Sequence, residues 1–317
     1  MIDILTSAVI WARTLDAATS LLLVALGGYL CVRSGVLNIG LEGTMLFGCF
    51  AAVAGSYWAV NWAGGVAVAI AVGLLVTALL VFACVYLNAD VLLVGLAVNL
   101  LGLGGTALLL QWLFNIRGGF TSQQVRPLPR VTLPVLDAVP WFGTVISGRT
   151  VLTYLSWILV VLVAGWLAHT RSGMALRSVG LREEIATASG FSPRRVRATA
   201  LFIGGALVGL GGAQLALGDV AQFSENMTSG RGFVALAMVF IAARRVWVLL
   251  PLAIGFAVFD IVGLSLQSVG LPSELSYVLP YVAALVILLL ARVVSTRHAR
   301  SRPSLWSVVS SGRNAHG

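Results

Sequence analysis

Long apolar runs recur along this chain, and they leave few folds open to it. Residues 41–60, 62–87, 91–115, 150–169, 198–217, 248–266 and 277–294 each approach or exceed the length needed to cross the roughly 30 Å hydrocarbon core of a bilayer, and 21–32 forms the centre of another such run. The runs are continuous rather than alternating, so they read as helices and not as strands of a barrel. A shorter run, 233–243, closes on Arg244 and Arg245 and is either a brief crossing or a re-entrant segment. The expectation is an all-α, polytopic transmembrane helical bundle of about nine spans, eight to ten being the range. Charged residues make up only 10% of the chain, well under the usual share in soluble domains, and the 35 glycines suit close helix packing in lipid. The opening residues lack the basic start and small-residue cleavage site of a signal peptide.

The net charge of +9 comes wholly from arginine. The arginines sit in connectors between apolar runs, which suits membrane lipid with an anionic inner leaflet and gives no reason to expect a nucleic-acid partner. Their densest cluster is a polar island at 171–197, RSGMALRSVGLREEIATASGFSPRRVR. It is too long for a hairpin and too polar for lipid. A short helix pattern runs over 181–189, with Glu183 and Glu184 near its positive end, and Ser192-Pro193 breaks and restarts the pattern. Two readings stand: a solvated loop that joins two spans, or a cytoplasmic helix docked by a partner that moves it. With the island inside, alternation puts fourteen arginines inside (Arg33, the six of the island, Arg244, Arg245 and the five from Arg292 to Arg313) and six outside. That bias favours an outside N-terminus and a cytoplasmic C-terminus. The connector at 117–149 carries Pro127, Pro129, Pro134 and Pro140 and is not a span. The division that results is a transmembrane unit over 1–293, containing a cytoplasmic loop at 170–197, and a polar cytoplasmic tail over 294–317.

A few polar residues interrupt the apolar runs. Asn38 and Glu42 are four apart, on one face if the segment is helical, beside the glycines Gly35, Gly40 and Gly43. Glu42 either faces protein or water as a functional group, or caps its helix at the interface and pairs with Arg33. Asn99 and Gln214 lie deeper; each either bonds across helices or touches a polar solute. Asp260 faces a polar cavity or an arginine partner. The stretch 219–233, DVAQFSENMTSGRGF, reads as a surface connector or as part of an outer vestibule. Gly205 and Gly209 make one GxxxG pair, which supports close helix packing.

Enzyme chemistry is poorly served. HExxH, GxSxG and a Walker A loop are all missing, and His169, His298 and His316 are isolated. Cys31, Cys49 and Cys84 lack CxxC spacing and read as packing residues, not metal ligands. No catalytic residues and no metal or other cofactor are expected in this chain.

The string SGVLNIGLEGTMLFGCFAA at 34–52 resembles the second-span signature of bacterial ABC importer inner-membrane permeases, in the nucleoside and simple-sugar branch of the ribose and branched-chain amino-acid permease family. NADVLLVGLAVNLLGLG around Asn99 and the run over 180–242 resemble the same family, in the same order. The resemblance implies a permease subunit that forms a solute path for nucleosides or related sugars. It implies a second permease, identical or homologous, separate ABC ATPase subunits that hold the ATP and Mg, an extracytoplasmic solute-binding lipoprotein, and a bacterial plasma membrane location. It makes Asn38, Glu42, Asn99 and Gln214 candidates for the solute path. It also makes 181–189 the coupling helix, with Arg182, Glu183, Glu184, Ala186, Ala188 and Gly190 as candidates for ATPase contact. The family pattern there is close to GxNPxAARYAGI, and Arg182, Glu183 and Glu184 stand in place of its NPxA portion. The alternatives are the ribose or branched-chain amino-acid branches, or an ion-coupled secondary transporter. The last would call for more intramembrane acids than Glu42 and Asp260, and for an inverted repeat.

Overall fold

The computed structural model describes residues 8–132, 140–242 and 245–267. The span expected at 277–294 and the tail at 294–317 lie outside these residues. The described helices are α1 (Ala8–Arg33), α2 (Leu41–Ala59), α3 (Trp62–Val81), α4 (Val91–Phe114), α5 (Pro140–Ile146), α6 (Val151–His169), α7 (Arg171–Leu181), α8 (Glu183–Ala188), α9 (Pro193–Ala213), α10 (Arg231–Ala242) and α11 (Leu249–Gln267). Wider π turns extend α3 over Phe82–Tyr86 and α9 over Gln214–Val220. Two antiparallel pairs of two-residue strands tie the connectors together: β1 (Gly119–Phe120) with β4 (Phe223–Ser224), and β2 (Arg130–Val131) with β3 (Arg149–Thr150). The all-α expectation therefore holds apart from these clips, which are too short to leave a periodic signal.

Six described stretches are long and apolar enough to cross a membrane: Ala8–Arg33, Trp62–Tyr86, Val91–Phe114, Val151–His169, Pro193–Gly218 and Val246–Gly263. At nineteen residues α2 has a comparable length, but Glu42, Thr44 and Ser56 lower its hydropathy, and all three are buried against protein. The twelve residues of α10 rise only about 18 Å, too little to cross alone. The first crossing is longer than the run at 21–32 suggests. Arg13 and Asp16 obscure its first half in the sequence, yet Asp16 is buried and paired with Arg149 at 2.9 Å, so α1 carries it without an unmatched charge.

The bundle is layered. The apolar windows of α1 and α9 are 83% buried, against 22% for α4. Outward faces of α3, α4 and α6 present Leu75, Leu100, Leu108 and Leu162. Lipid offers no hydrophobic drive for helices to associate, so close packing needs small residues at the crossings. In α9, a Cβ on Gly205 would run into Thr77 Oγ1 of α3, and one on Gly209 would stand 2.5 Å from the Ala69 carbonyl oxygen. The GxxxG pair is thus the seam between α9 and α3. The other side of α9 uses Gly212 against the Met45 carbonyl of α2.

The island folds as two short helices, not one. Thr170 caps α7, its Oγ1 accepting from the Gly173 amide at 3.0 Å. The end of α7 crosses the end of α1, where Gly180 packs directly on the Arg33 carbonyl. The expected pattern over 181–189 is α8; it stops at Gly190, whose φ of +83° reverses the chain before Pro193 opens α9 in its first turn.

Candidate functional site

Residues 35–40 are an unwound link between α1 and α2. Asn38 is buried there and serves the link itself, its Oδ1 accepting from the Gly40 amide at 3.0 Å. Asn99 reaches across from α4: its Oδ1 accepts from the Gly43 amide at 2.8 Å, and its Nδ2 donates to the Ile39 carbonyl at 3.0 Å. One amide thus satisfies a donor and an acceptor that the break exposes. The approach is possible because α2 and α4 cross on glycine, a Cβ on Gly102 falling 2.6 Å from the Gly43 Cα.

Glu42 does not pair with Arg33. Its carboxylate is turned to the start of α10, where Oε1 accepts from Thr228 Oγ1 at 2.6 Å and from the Gly230 amide at 2.8 Å, and Oε2 accepts from the Gly232 amide at 2.6 Å. Free amides and the positive end of the helix dipole make this a favourable seat for a carboxylate, and Glu42 is only 8% exposed. Glycine is required opposite it, since a Cβ on Gly232 would lie 2.5 Å from the Glu42 Cα. Glu42 does cap a helix, but one far along the chain and not its own.

These two residues border a half-open cavity of about 810 Å³. Leu96, Leu100 and Leu103 of α4 and Phe233 of α10 give it an apolar side; Glu225, Asn226, Ser229 and Gly230 give it a polar one. The stretch 219–233 therefore contributes a cavity wall and is not only a surface connector. Sequence reasoning did not single out Glu225, Asn226, Ser229 or Phe233. The available signal was the Asn, Ser and Gly content of the stretch, which marks tight turns. Asn226 and Ser229 have φ of +56° and +44°.

Gln214 and Asn38 do not line this cavity. Gln214 is fully buried, and its Oε1 accepts from Thr150 Oγ1 at 2.8 Å. That bond joins a network of Thr150, Thr153, Thr19, Asp16 and Arg149 that knits α1, α6 and α9. The cross-helix reading is the one the geometry supports for Gln214. Asp260 meets an arginine, its Oδ2 accepting from Arg231 Nη2 at 2.6 Å.

The coupling candidates gather on α8. Ala186 is fully buried and anchors the helix. Glu183 is tied back to Arg197 at 2.7 Å. Arg182, Glu184, Ala188 and Gly190 are exposed, beside the exposed apolar side chains of Leu181 and Ile185.

Comparison with known proteins places this architecture. The family described as branched-chain amino acid transport system / permease component matches residues 10–290. The guanosine ABC transporter permease protein NupQ of Bacillus subtilis is 31% identical over 237 residues, 72% of this chain and 73% of that one. The nucleoside ABC transporter permease protein NupC of Lactococcus lactis subsp. cremoris is 29% identical, covering 90% and 92%. A chain provisionally named as a glucose ABC transporter permease, TsgC13 of Haloferax volcanii, is 32% identical, covering 81% and 78%. A solved structure of a provisionally assigned metal-chelate type ABC transporter, in an inward-facing conformation, has the same fold, with TM-score 0.50 and 17% identity over 87% of this chain and 84% of that one. On this match, and with its run of apolar crossing helices, the chain is a multi-pass membrane permease subunit of the ABC type and belongs to the branched-chain amino acid transport system / permease component family.

Proposed function

We propose that this subunit forms the solute path of an ATP-driven importer for nucleosides or related simple sugars in a bacterial plasma membrane. The observation that carries the reading is the 810 Å³ cavity at Glu42 and Asn99, whose polar turn and leucine wall suit a hydroxyl-bearing ring. The named relatives, for guanosine, nucleosides and glucose, point the same way. The cavity is half open, and a second permease, identical or homologous, completes it. The N-terminus and the connectors at 117–149 and 219–231 face outward and receive a solute-binding lipoprotein. Residues 170–197 face the cytoplasm, with the permease unit spanning 1–293 and a polar tail over 294–317. Separate ATPase subunits hold ATP and Mg and press on α8 through Arg182, Glu184 and Ile185, rocking the bundle between its two openings.

Ion coupling is the weaker alternative. It asks for an intramembrane acid with room to bind a cation, whereas Asp16, Glu42 and Asp260 are each engaged by protein donors. The test is uptake of labelled guanosine and glucose by proteoliposomes holding the permease pair, the ATPases and the lipoprotein. Uptake should require ATP and survive collapse of ion gradients. Uptake that follows an ion gradient without ATP would overturn the proposal.

A further inference from the structure

We infer that the turn at residues 225–230 is the recognition wall of the path, with Glu225, Asn226 and Ser229 meeting the hydroxyl groups of an uncharged solute and Glu42 acting as a positioning residue that does not itself touch it. The inference rests on the permease reading above and assigns its specificity to particular side chains.

The backbone of the turn is the first ground. Asn226 and Ser229 both hold positive φ, a region that side-chain-bearing residues seldom adopt and that persists only where the surroundings fix it. Here they do so from both ends. Glu225 exchanges bonds with Gly118, its amide donating to the Gly118 carbonyl at 2.9 Å and its Oε1 accepting from the Gly118 amide at 2.8 Å. Glu42 takes hold at Thr228, Gly230 and Gly232, on either side of Ser229. A buried carboxylate with three donors already in place has little capacity left for a solute. Its geometry serves the turn.

What the turn offers is the second ground. The Asn226 side-chain amide and the second carboxylate oxygen of Glu225 have no partner among the described residues, and both residues are exposed and line the cavity. Three leucines of α4 and Phe233 line the same cavity. A ring with one hydroxylated edge and one apolar face fits between.

Charge is the third ground. Among the described residues, no arginine or histidine lines the cavity, while two glutamates do. The start of α10 is where an anion would otherwise seat, and Glu42 already occupies it. A phosphate or free carboxylate on the solute therefore meets a negative wall without a counter-charge.

The experiment uses the assembled complex bearing Asn226→Cys, with labelling at that position by N-ethylmaleimide read by peptide mass spectrometry. Guanosine or glucose at millimolar concentration should slow labelling, and guanosine 5′-monophosphate at the same concentration should not. Equal protection by the phosphate overturns the charge selection. No protection, in a complex that takes up the same probe with ATP, overturns the wall. A complex that keeps native Asn226 and takes up neither probe overturns the permease reading, and the inference with it. Adding Glu42→Gln should raise the half-protecting guanosine concentration about tenfold in complex that still assembles. Thr228→Val, which removes one of the three donors at nearly constant volume, should raise it severalfold and serves if Glu42→Gln fails to assemble. Half-protection unchanged in both variants overturns the positioning role.

Discussion

Asp16 and Arg149 are a buried pair whose stability cost can be reasoned one side chain at a time. They lie 2.9 Å apart with side chains under a tenth exposed, and Arg149 also donates to the Ala12 carbonyl at 2.7 Å. Removing one partner leaves the other buried without its closest counter-charge, so Asp16→Asn or Arg149→Leu should cost about 3–5 kcal/mol. The second arginine near Asp16 is a control: Arg130 stands 3.9 Å away and is more than half exposed. Arg130→Ala should shift stability by under about 1 kcal/mol. Thermal melting of the solubilised protein separates the two outcomes. Asn99→Leu should cost about 2–4 kcal/mol in the same measurement, because it strands the Gly43 amide and the Ile39 carbonyl together. At this scale the sequence is half informative. Glu42 and Asn99 stand out because polar side chains are expensive in apolar runs. Their partners do not, since Gly232 lies 190 residues from Glu42 along the chain. Gln214 has the same appearance as Asn99 in the sequence, yet its partner is Thr150 and not the cavity; burial, which no single sequence reveals, makes the difference.

Among the elements, α8 is largely exposed and α9 largely buried. On α8, Glu183 is occupied by Arg197, so its reversal would break an internal bond as well as any docking contact. Glu184 and Ile185 are exposed, which makes Glu184→Arg with Ile185→Asp the cleaner test of coupling. The double variant should keep its melting temperature but lower solute imported per ATP hydrolysed by about tenfold or more, the effect of losing a central contact at a protein interface. Unchanged stoichiometry would remove α8 from the ATPase interface. On α9, Gly205→Val forces a side chain into Thr77 and should abolish assembly, while Gly104→Ala on α4, with nothing within 4 Å, should be neutral or slightly stabilising. Yield of monodisperse protein reads out both. Most long helices were legible from their apolar lengths alone. The break of the island into α7 and α8 was not, because Arg182 itself adopts the extended conformation and the nearby Gly180 stays inside α7. The strand clips escaped for a different reason: β1 and β4 meet across a hundred residues, through two residues each.

For the molecule as a whole, the direction in which the bundle faces decides which partners can reach it. The argument is electrostatic. On the nine-span alternation expected from the sequence, fourteen of the twenty arginines fall on the side of the island and six on the other. Each basic residue near an anionic inner surface gains on the order of 1 kcal/mol, so the imbalance weighs heavily on orientation. Two exposed positions report on opposite faces: Glu184 on α8 and Gln124 in the connector after β1. The native thiols interfere little, since Cys31 and Cys49 are buried and Cys84 only partly exposed. In intact cells, a membrane-impermeant maleimide should label Gln124→Cys and leave Glu184→Cys untouched. Permeabilising the inner membrane should then make Glu184→Cys reactive. The reverse pattern would put α8 beyond the reach of any cytosolic ATPase. The half-open cavity and its strained turn would still have the geometry of a solute site, but one with no motor to drive it.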